Sequence, residues 1–563
     1  MENLSVEGKV RHIISKGFIT SSLLLIAALY FFPFYTQDGP NHKQVAVILS
    51  RLSSDPIESN IYQSNLGFLQ TNSLFPLLYQ PFAKHLSIDN YEKIFVGFFL
   101  IFLSLSYRWF LSVWNSGRFD FWFVSLLIWI HPLLFRGFYN FIAGFSLSIL
   151  ALTLLKKGID EKKISTFLLY SIVSWITFLA HPFPLFILLI VLVIFSSSDV
   201  ILSRRRRILA SSSDLDSSVS PQNDTSLKTD FGNELLYKKL KWNLLYTLPP
   251  LFLISFKFFL SLTKAHEEGV QTALKFMPSI EQLGGLFFKN FVIFSVPTLI
   301  ISLITFLWII FLAFYSLKKT SWKSKVFWLV ILFLFFYSPS EVAGGAYLND
   351  RFLPYLLLFL PLGLFFSDTQ MKKVKILFLL LFLGTLSGIS EGFSKIHFVA
   401  QDYKSVLKDL PTNSRLYSIN FDNQGPAMNY QPLHHFWALF DSEKTVFSPY
   451  LFAFRELNPL NKKIKNSLTY FPATYDSYPS EVARNLECRV HDAGETIDCN
   501  EIRQNGFEKI IKSAAYYDYW LIASPPKDFV DFVKTKTDLL KISETGNVSL
   551  WYHAKALKFN PPL

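Results

Sequence analysis

The stretch TQDGPNH, residues 36–42, joins the first apolar run of the chain to an amphipathic helix. A carboxylate is costly in hydrocarbon, so we expect Asp38 at the membrane boundary or in a polar cavity. Gly39-Pro40 is typical of a turn, and proline suits the first turn of the helix that follows. Residues 41–52 then place apolar side chains at helical spacing. Asp38 is therefore expected just ahead of a helix N-terminus, where backbone N–H groups favour an anion.

The composition is that of a membrane protein. Of the 563 residues, 51% are hydrophobic and 60 are phenylalanine, which is more apolar than a soluble protein of this length. The formal net charge is +12. The basic residues cluster between apolar runs, a pattern that indicates positively charged cytoplasmic loops and not a nucleic-acid-binding surface. We therefore predict an α-helical polytopic membrane protein with membrane lipids, and no nucleic acid, as partners.

Apolar runs long enough to cross a bilayer recur between residues 18 and 390. A transmembrane helix needs about 20 such residues. We predict about eleven spans, at residues 18–35, 92–114, 119–135, 138–155, 165–181, 183–202, 243–262, 291–316, 326–338, 352–367 and 374–390. The first follows basic residues but lacks a small-residue cleavage site, so we expect it to remain as a signal anchor.

The loops between these spans predict the orientation. Lysine and arginine accumulate in alternate loops, for example at Lys156, Lys157 and 204–207, and such loops are cytoplasmic. This places the N-terminus in the cytoplasm and, with an odd number of spans, the C-terminus outside. The first external loop covers 36–91, and a Ser/Asp-rich cytoplasmic loop, 203–241, is predicted to be disordered. We expect a multi-pass protein of the bacterial plasma membrane, with the endoplasmic reticulum as the alternative.

The chain changes character after residue 390. Residues 1–390 form the predicted transmembrane domain, whereas in residues 391–563 charged residues return and the apolar runs shorten. Short β-type runs alternate there with a helical run, which is typical of a small α/β domain. The orientation makes this an extracytoplasmic domain. It contains the two cysteines of the chain, Cys488 and Cys499, and we expect them to form a disulfide in that compartment.

Ionisable residues of the predicted membrane domain gather on its external side. They lie at external span ends or in external loops, and comprise Asp38, His42, His131, Arg136, His181, Glu267, Glu268, Glu341, Asp350 and Arg351. Placing an ionisable group in or near hydrocarbon costs free energy, so a cluster of such groups suggests a functional site. Arginine in particular offers a fork of donors that suits a phosphate. We therefore expect a shared external cavity, in which Arg351 is suited to a phosphate.

Each of these residues also has a structural explanation. His131 and His181 each precede a proline, where a histidine can cap a helix or satisfy a backbone group. Arg136 suits a lipid phosphate but equally suits an anchor at the membrane interface. Asp350 and Arg351 can form an interfacial helix cap. These alternatives stay open from the sequence.

Several short motifs resemble the GT-C superfamily of membrane glycosyltransferases, which includes protein O-mannosyltransferases and lipid A aminoarabinose transferases. They are QDGPNH at 37–42 with the helix 41–52, NDRFLP at 349–354, and the external C-terminal α/β domain. The resemblance covers the whole chain as architecture and these motifs as residues. It implies a GT-C-like glycosyltransferase that moves a sugar from a polyprenyl-phosphate donor to a lipid, glycan or protein acceptor at the external face, with inversion at the anomeric carbon.

The resemblance also implies roles for single residues. Asp38 matches the first-loop acidic residue, a general base or metal-linked acid, and Arg351 matches a basic residue that holds the donor phosphate. The other candidates for substrate binding are His42, His131, Arg136, His181 and Asp350. Many members carry two acidic residues in the first loop, whereas Asp38 stands alone here. A divalent metal ion is therefore the one cofactor left open, with Asp38 and His42 as two ligands and no evident third.

Two other functions remain open from the sequence. A transporter or flippase of a lipid-linked glycan would have broken helices in matching halves and ionisable residues near the bilayer midplane, and the sequence has no convincing repeat. A non-catalytic membrane scaffold would use Asp38 only as a helix cap. An Asp38→Asn variant that folds but no longer transfers sugar separates the first function from both.

Overall fold

The computed structural model describes residues 34–67, 70–114, 121–194, 245–255, 276, 279–317, 322–340, 348–363, 367–451, 459–463 and 499–556. Several predicted features lie outside these residues, namely most of the first span, the loop 203–241, Glu267, Glu268, Glu341 and Cys488. Of Cys499 only the backbone is described. The disulfide therefore stays a prediction.

The described part of the predicted first loop contains α1 Gly39–Arg51, α2 Pro56–Ile61, β1 Tyr62–Ser64 and α3 Leu74–Tyr79. α1 begins directly after Asp38, and Pro40 occupies its first turn. Proline is accepted there because the first N–H groups of a helix have no intrahelical partner. The Asp38 side chain makes no capping hydrogen bond to α1. Helix capping therefore does not explain this carboxylate.

The other helices of the bundle follow in chain order: α4 Ile88–Trp114, α5 Leu126–Trp129, α6 Pro132–Phe135, α7 Tyr139–Glu161, α8 Ile164–Ala180, α9 Phe183–Ile194, α10 Leu245–Ser255, α11 Ser279–Phe288, α12 Val296–Leu317, α13 Trp322–Tyr337, α14 Leu353–Phe359 and α15 Asp368–Leu407. Among the described residues, four helices, α4, α7, α12 and α15, are long and apolar enough to cross a membrane. Large apolar side chains such as Phe98, Phe314 and Leu380 are exposed on them, a surface that suits hydrocarbon. The chain is a mainly helical integral membrane protein, and the number of spans stays a prediction.

Two predicted spans are not single regular helices. Over 119–135, a 3-10 turn at Trp122–Ser125 leads into α5 and then, after a break at His131, into α6. His131 has an extended backbone, with φ −77° and ψ 138°, because a residue that precedes proline is disfavoured in the helical region. Over 352–367, α14 passes into a 3-10 turn at Leu360–Gly363. The first interruption brings an extended residue into a mostly apolar run, and the second changes the helix type.

The C-terminal segment contains a five-stranded mixed sheet in the order β3-β2-β5-β7-β6. The strands of the segment are β2 Ser414–Asn420, β3 Val446–Phe447, β4 Leu460–Lys462, β5 Tyr519–Ala523, β6 Leu539–Thr545 and β7 Val548–His553. β2 runs parallel to β3 and β5, whereas β7 is antiparallel to β5 and β6. Helices α16 Cys499–Ala514 and α17 Lys527–Lys536 precede and follow β5. The small α/β fold predicted near the C-terminus is confirmed.

Helix α15 connects the bundle to this sheet. It has 40 residues, and at 1.5 Å per residue it is about 60 Å long, about twice the hydrocarbon thickness of a bilayer. Ser367 and Gln370 form a capping box at its start. The predicted span 374–390 is its middle part, and its end packs against β6 and β7. One continuous helix therefore leaves the bundle and enters the core of the C-terminal segment.

The first loop and the C-terminal segment cover the same end of the bundle, which we call the domain-side end. β1 pairs with β4 in antiparallel register, with Tyr62 opposite Lys462. Arg51, near the end of α1, pairs with Glu58 and donates to the carbonyl of Ser442, 391 positions later in the chain. These two distant parts of the sequence build the surroundings of the site together.

Candidate functional site

The turn that carries Asp38 is joined to the turn that carries Arg136. The Asp38 N–H donates to the Arg136 carbonyl at 3.0 Å. Gly137 permits this close approach, because its φ is +83° and a Cβ at its position would lie 2.7 Å from the Gly39 nitrogen. Only glycine adopts this backbone conformation readily and has no side chain in that space. The contact holds Asp38 beside Arg136.

Asp38 is 9% exposed. Burial raises the pKa of its carboxyl to about 7, because the charged form loses its hydration. A hydrogen bond from Gln37 and the positive charges of Arg136 and Arg351 act in the opposite direction and favour the carboxylate. A carboxyl group with a pKa near neutrality is suited to take up and release a proton during a reaction.

His435 reaches Asp38 from the C-terminal segment. Its Nε2 lies 3.5 Å from Asp38 Oδ1, while its Nδ1 lies 3.3 Å from the indole nitrogen of Trp437 and 3.4 Å from the amide nitrogen of Asn41. An indole N–H only donates, so Nδ1 is the acceptor and the neutral ring carries its proton on Nε2. Burial lowers the pKa of His435 well below its usual range, which keeps the ring neutral at pH 7.

Arg136, Lys289 and Arg351 lie around Asp350, and we call these three the basic cluster. Asp350 is fully buried. Its Oδ2 lies 2.7 Å from Arg136 Nη1 and its Oδ1 lies 2.7 Å from Lys289 Nζ. Arg136 and Arg351 also act electrostatically on Asp38. The basic cluster therefore makes ion pairs with Asp350 and acts at longer range on Asp38.

Arg351 is held by aromatic rings and by His181. Its guanidinium lies 5.2 Å from the ring centre of Phe138 and 5.8 Å from that of Phe141. Its Nη1 lies 2.8 Å from Nε2 of His181. The backbone N–H of Phe183 donates to Nδ1 of the same histidine at 3.1 Å. A neutral imidazole accepts at only one nitrogen, so Arg351 competes with a backbone group for His181.

The remaining predicted site residues divide into two groups. His131 is fully buried, and its Nδ1 accepts the backbone N–H two residues further on at 3.2 Å, which is a capping contact. It also lies within electrostatic reach of Arg136 and Asp350. His42 instead packs against Tyr139, with ring centres 5.9 Å apart, and burial lowers its pKa to about 4. The residues that lie together are Asp38, His131, Arg136, His181, Asp350 and Arg351.

A second polar network braces α1 against the bundle. Lys43 pairs with Glu92 at 3.1 Å and with Asp89 at 2.7 Å. Tyr139 donates to Glu92 and lies 2.6 Å from the Thr36 hydroxyl. This network satisfies the charge of Lys43 within α1 and α4. The lysine is therefore not one of the cations that act on Asp38.

A divalent metal ion does not fit this arrangement. Within the described ranges, no three His, Cys, Asp or Glu side chains are grouped so that they could hold a metal ion. Asp38 contacts His435, and the ring of His42 packs against Tyr139, so neither contact supplies a third ligand to the possible pair Asp38 and His42. Two arginines that act on Asp38 would also repel a dication.

Two residues of the site, Lys289 and His435, were not among the predicted candidates. Lys289 precedes the predicted span 291–316 directly, so the rule that selected Arg136 and Arg351, a charge at an external span end, also selects it. His435 belongs to a His-His pair followed by Trp437 in the C-terminal segment. Nothing in the local sequence connects that pair to Asp38, because the contact depends on how the segment docks.

No protein-family model matches this chain, and no curated protein matches it. Among solved structures, it is similar to a crystal structure of ArnT from Cupriavidus metallidurans bound to undecaprenyl phosphate, with 10% identity and a TM-score of 0.49 over 97% of this chain and 98% of that one. It is also similar to the crystal structure of ArnT from Cupriavidus metallidurans in the apo state, with 8% identity and a TM-score of 0.49 over 98% of this chain and 100% of that one.

Proposed function

We propose that this chain is a membrane glycosyltransferase that moves a sugar from a polyprenyl-phosphate-linked donor to a hydroxyl group of a lipid, glycan or protein acceptor, with inversion. The observation that carries the proposal is Asp38, a buried carboxyl with a pKa of about 7, beside the basic cluster, of which Arg136 is buried and Lys289 and Arg351 are partly buried. An inverting transfer needs these two elements, a base for the acceptor and positive charge for the leaving phosphate.

Asp38 takes the role of general base. The acceptor oxygen attacks the anomeric carbon while its proton passes to Asp38. The bond between the anomeric carbon and the phosphate oxygen breaks, and its electron pair leaves with the polyprenyl phosphate. Attack from the face opposite the leaving group inverts the anomeric centre. Because the pKa of Asp38 lies near 7, the base is available at neutral pH and the proton is released again after transfer.

The basic cluster takes the role of phosphate site. Arg136 and Lys289 contact Asp350 at 2.7 Å, and Arg136 and Arg351 act electrostatically on Asp38. Positive charge placed where a leaving phosphate develops its negative charge stabilises the transition state. Arg351 presents a planar fork of donors. It competes with the backbone N–H of Phe183 for His181. We therefore expect Arg351 to exchange this contact for a phosphate oxygen when the donor binds.

The orientation of the reaction follows from the distribution of charge. The site lies at the domain-side end, and exposed lysines such as Lys162 and Lys163 occupy the connection between α7 and α8. Lysine-rich connections favour the cytoplasmic side. We propose that the N-terminus is cytoplasmic, that the C-terminal segment is outside, and that transfer takes place at the outer face of a bacterial plasma membrane, with the polyprenyl tail in hydrocarbon.

The test uses the full chain in proteoliposomes with undecaprenyl-phosphate-linked hexose, pentose and aminopentose as donors and a lipid and glycan extract as acceptor. The measured quantity is the undecaprenyl phosphate released. Asp38→Asn should lower the turnover about 100-fold or more, which is the usual scale of general-base catalysis. Asp531→Asn, an exposed aspartate of α17, is the matched control and should retain turnover.

Three results would contradict the proposal. The wild-type chain could release no undecaprenyl phosphate from any donor, or Asp38→Asn could retain wild-type turnover. The chain could also move a labelled lipid-linked sugar between leaflets without releasing undecaprenyl phosphate, which is the behaviour of a transporter.

A further inference from the structure

The contacts of His435 determine which nitrogen of its ring carries the proton. The indole N–H of Trp437 can only donate, and it faces Nδ1 at 3.3 Å. The Asn41 amide nitrogen faces the same ring atom at 3.4 Å and also donates to the carbonyl of Tyr450 at 2.7 Å. Two donors at Nδ1 leave the proton on Nε2, which faces Asp38 Oδ1.

We infer that His435 is a positioning residue for Asp38, which donates from Nε2 to Oδ1 of the carboxylate and leaves Oδ2 for the proton of the acceptor. The inference rests on the proposed role of Asp38 as the base. The present Nε2 to Oδ1 distance, 3.5 Å, is long for a hydrogen bond. Catalytic hydrogen bonds are often long without substrate and shorten in the complex.

Such a donor has two effects on the base. It orients the carboxylate, and it stabilises the charged form relative to the protonated form, which lowers the pKa of a buried carboxyl. His435 therefore acts with Gln37 against the effect of burial on Asp38. Without the donor, the carboxyl would hold its proton to higher pH. A smaller fraction of Asp38 would then be deprotonated and able to act as a base at neutral pH.

The other charged and titratable groups around Asp38 differ in kind from His435. Arg136, Arg351 and Tyr139 act on or feel the charge of Asp38, and His42 and His434 act on His435. They come from the turn after α6, the 3-10 turn before α14, α7, α1 and the C-terminal segment. The arginines remain charged across the range in which Asp38 titrates. A change in the pH profile of a His435 variant therefore reports on the contact with Asp38.

Two amide substitutions test the roles of the two ring nitrogens of His435 separately. In His435→Asn the amide overlaps the position of Nδ1, so contacts with Trp437 and Asn41 are retained while the donor to Asp38 is lost. In His435→Gln the longer side chain carries an N–H to the position of Nε2. His434→Asn changes the neighbouring ring, whose centre lies 4.4 Å from that of His435, and is the matched control.

The experiment measures the release of undecaprenyl phosphate from pH 5 to pH 9. The rising limb is the part of the profile in which kcat increases with pH. His435→Asn should shift this limb to higher pH by about one unit, which lowers kcat at pH 7 about fivefold. At pH 9 it should recover, with an unchanged KM for the donor. His435→Gln and His434→Asn should follow the wild type. Combining His435→Asn with Asp38→Asn should add no further loss, because His435 acts through Asp38.

A merely structural role would lower the rate at every pH without moving the limb, and that result would overturn the inference. So would an additive loss in the double variant. If His435→Asn fails to fold, Trp437→Phe removes the indole donor that sets the ring proton and should move the limb in the same direction by less. Loss of activity in Asp38→Asn with an unmoved limb in His435→Asn rejects only this inference, whereas activity in Asp38→Asn rejects the proposed function.

Discussion

The carboxylate of Asp350 lies 2.7 Å from the guanidinium of Arg136, a residue 214 positions earlier in the chain. The pair joins the turn after α6, which carries Arg136, to the 3-10 turn before α14, which carries Asp350. Because Lys289 shares the same carboxylate, one buried anion holds two cations at the domain-side end. The charge balance of the site depends on this aspartate.

Replacing Asp350 by asparagine should destabilise the fold strongly. The substitution removes the anion that Arg136 and Lys289 share, and breaking a buried ion pair from one side costs about 3–5 kcal/mol. We expect a lower unfolding temperature in detergent, measured against wild type and Asp531→Asn. Equal unfolding temperatures for Asp350→Asn and Asp531→Asn would show that Asp350 does not balance these charges.

Gly137→Ala should disturb the position of Asp38. The backbone at Gly137 is left-handed, with φ +83°, and its new Cβ would meet the Gly39 nitrogen at 2.7 Å. We expect a loss of at least about 1–2 kcal/mol in unfolding free energy. Gly284→Ala is the control, because a Cβ there meets nothing within 4 Å and α11 is helical at this position. Similar stability of the two alanine variants would contradict the tight contact.

Asp38 should make the stability of the protein depend on pH. Its folded pKa is about 7, above the ordinary 3.8. Between these values the folded state holds a proton that the unfolded state has released, so stability falls as the pH rises toward 7 and stays low above it. Asp38→Asn removes this penalty. It should raise the unfolding temperature over wild type at pH 8 and much less at pH 4.5; an equal difference at both pH values would contradict the assignment.

Arg351 should contribute to the binding of a lipid phosphate. Arg351→Lys keeps the charge but loses the planar fork and the stacking on Phe138 and Phe141. We expect the affinity for undecaprenyl phosphate in detergent to fall about tenfold, or about 1.4 kcal/mol, and further in Arg351→Gln. Lys163→Gln is the control for loss of one charge. Undecaprenol, which has no phosphate, should bind all four proteins equally weakly, and unchanged binding by Arg351→Gln would exclude this role.

Part of the site follows from the local sequence. The turn at Asp38, the helix that begins at Gly39 and the strand and helix signals of the C-terminal segment depend on neighbouring residues. Charges at the ends of apolar runs led to Arg136, Asp350 and Arg351, because hydrocarbon restricts where a charge can lie. The same restriction applies to Lys289.

Other features depend on contacts that no local pattern encodes. The spans predicted at 119–135 and 352–367 are mostly apolar, yet a break before a proline interrupts the first and 3-10 turns occur in both. Hydropathy reports the free energy of moving side chains into hydrocarbon. Where a helix is interrupted depends instead on the geometry of its backbone. The contact of His42 with Tyr139, a residue of another helix, likewise depends on how the helices pack.

The sequence by itself determined that this chain is a helical membrane protein and that a small α/β segment follows the apolar runs, and it predicted candidate site residues at the ends of those runs. These properties follow from composition and short-range periodicity. Only the tertiary structure decided which polar side chains meet: Asp350 with Arg136 and Lys289, and Asp38 with His435. The reason is physical, because these contacts are set by distances of a few ångströms between elements far apart in the chain, and those distances exist only after the helices pack.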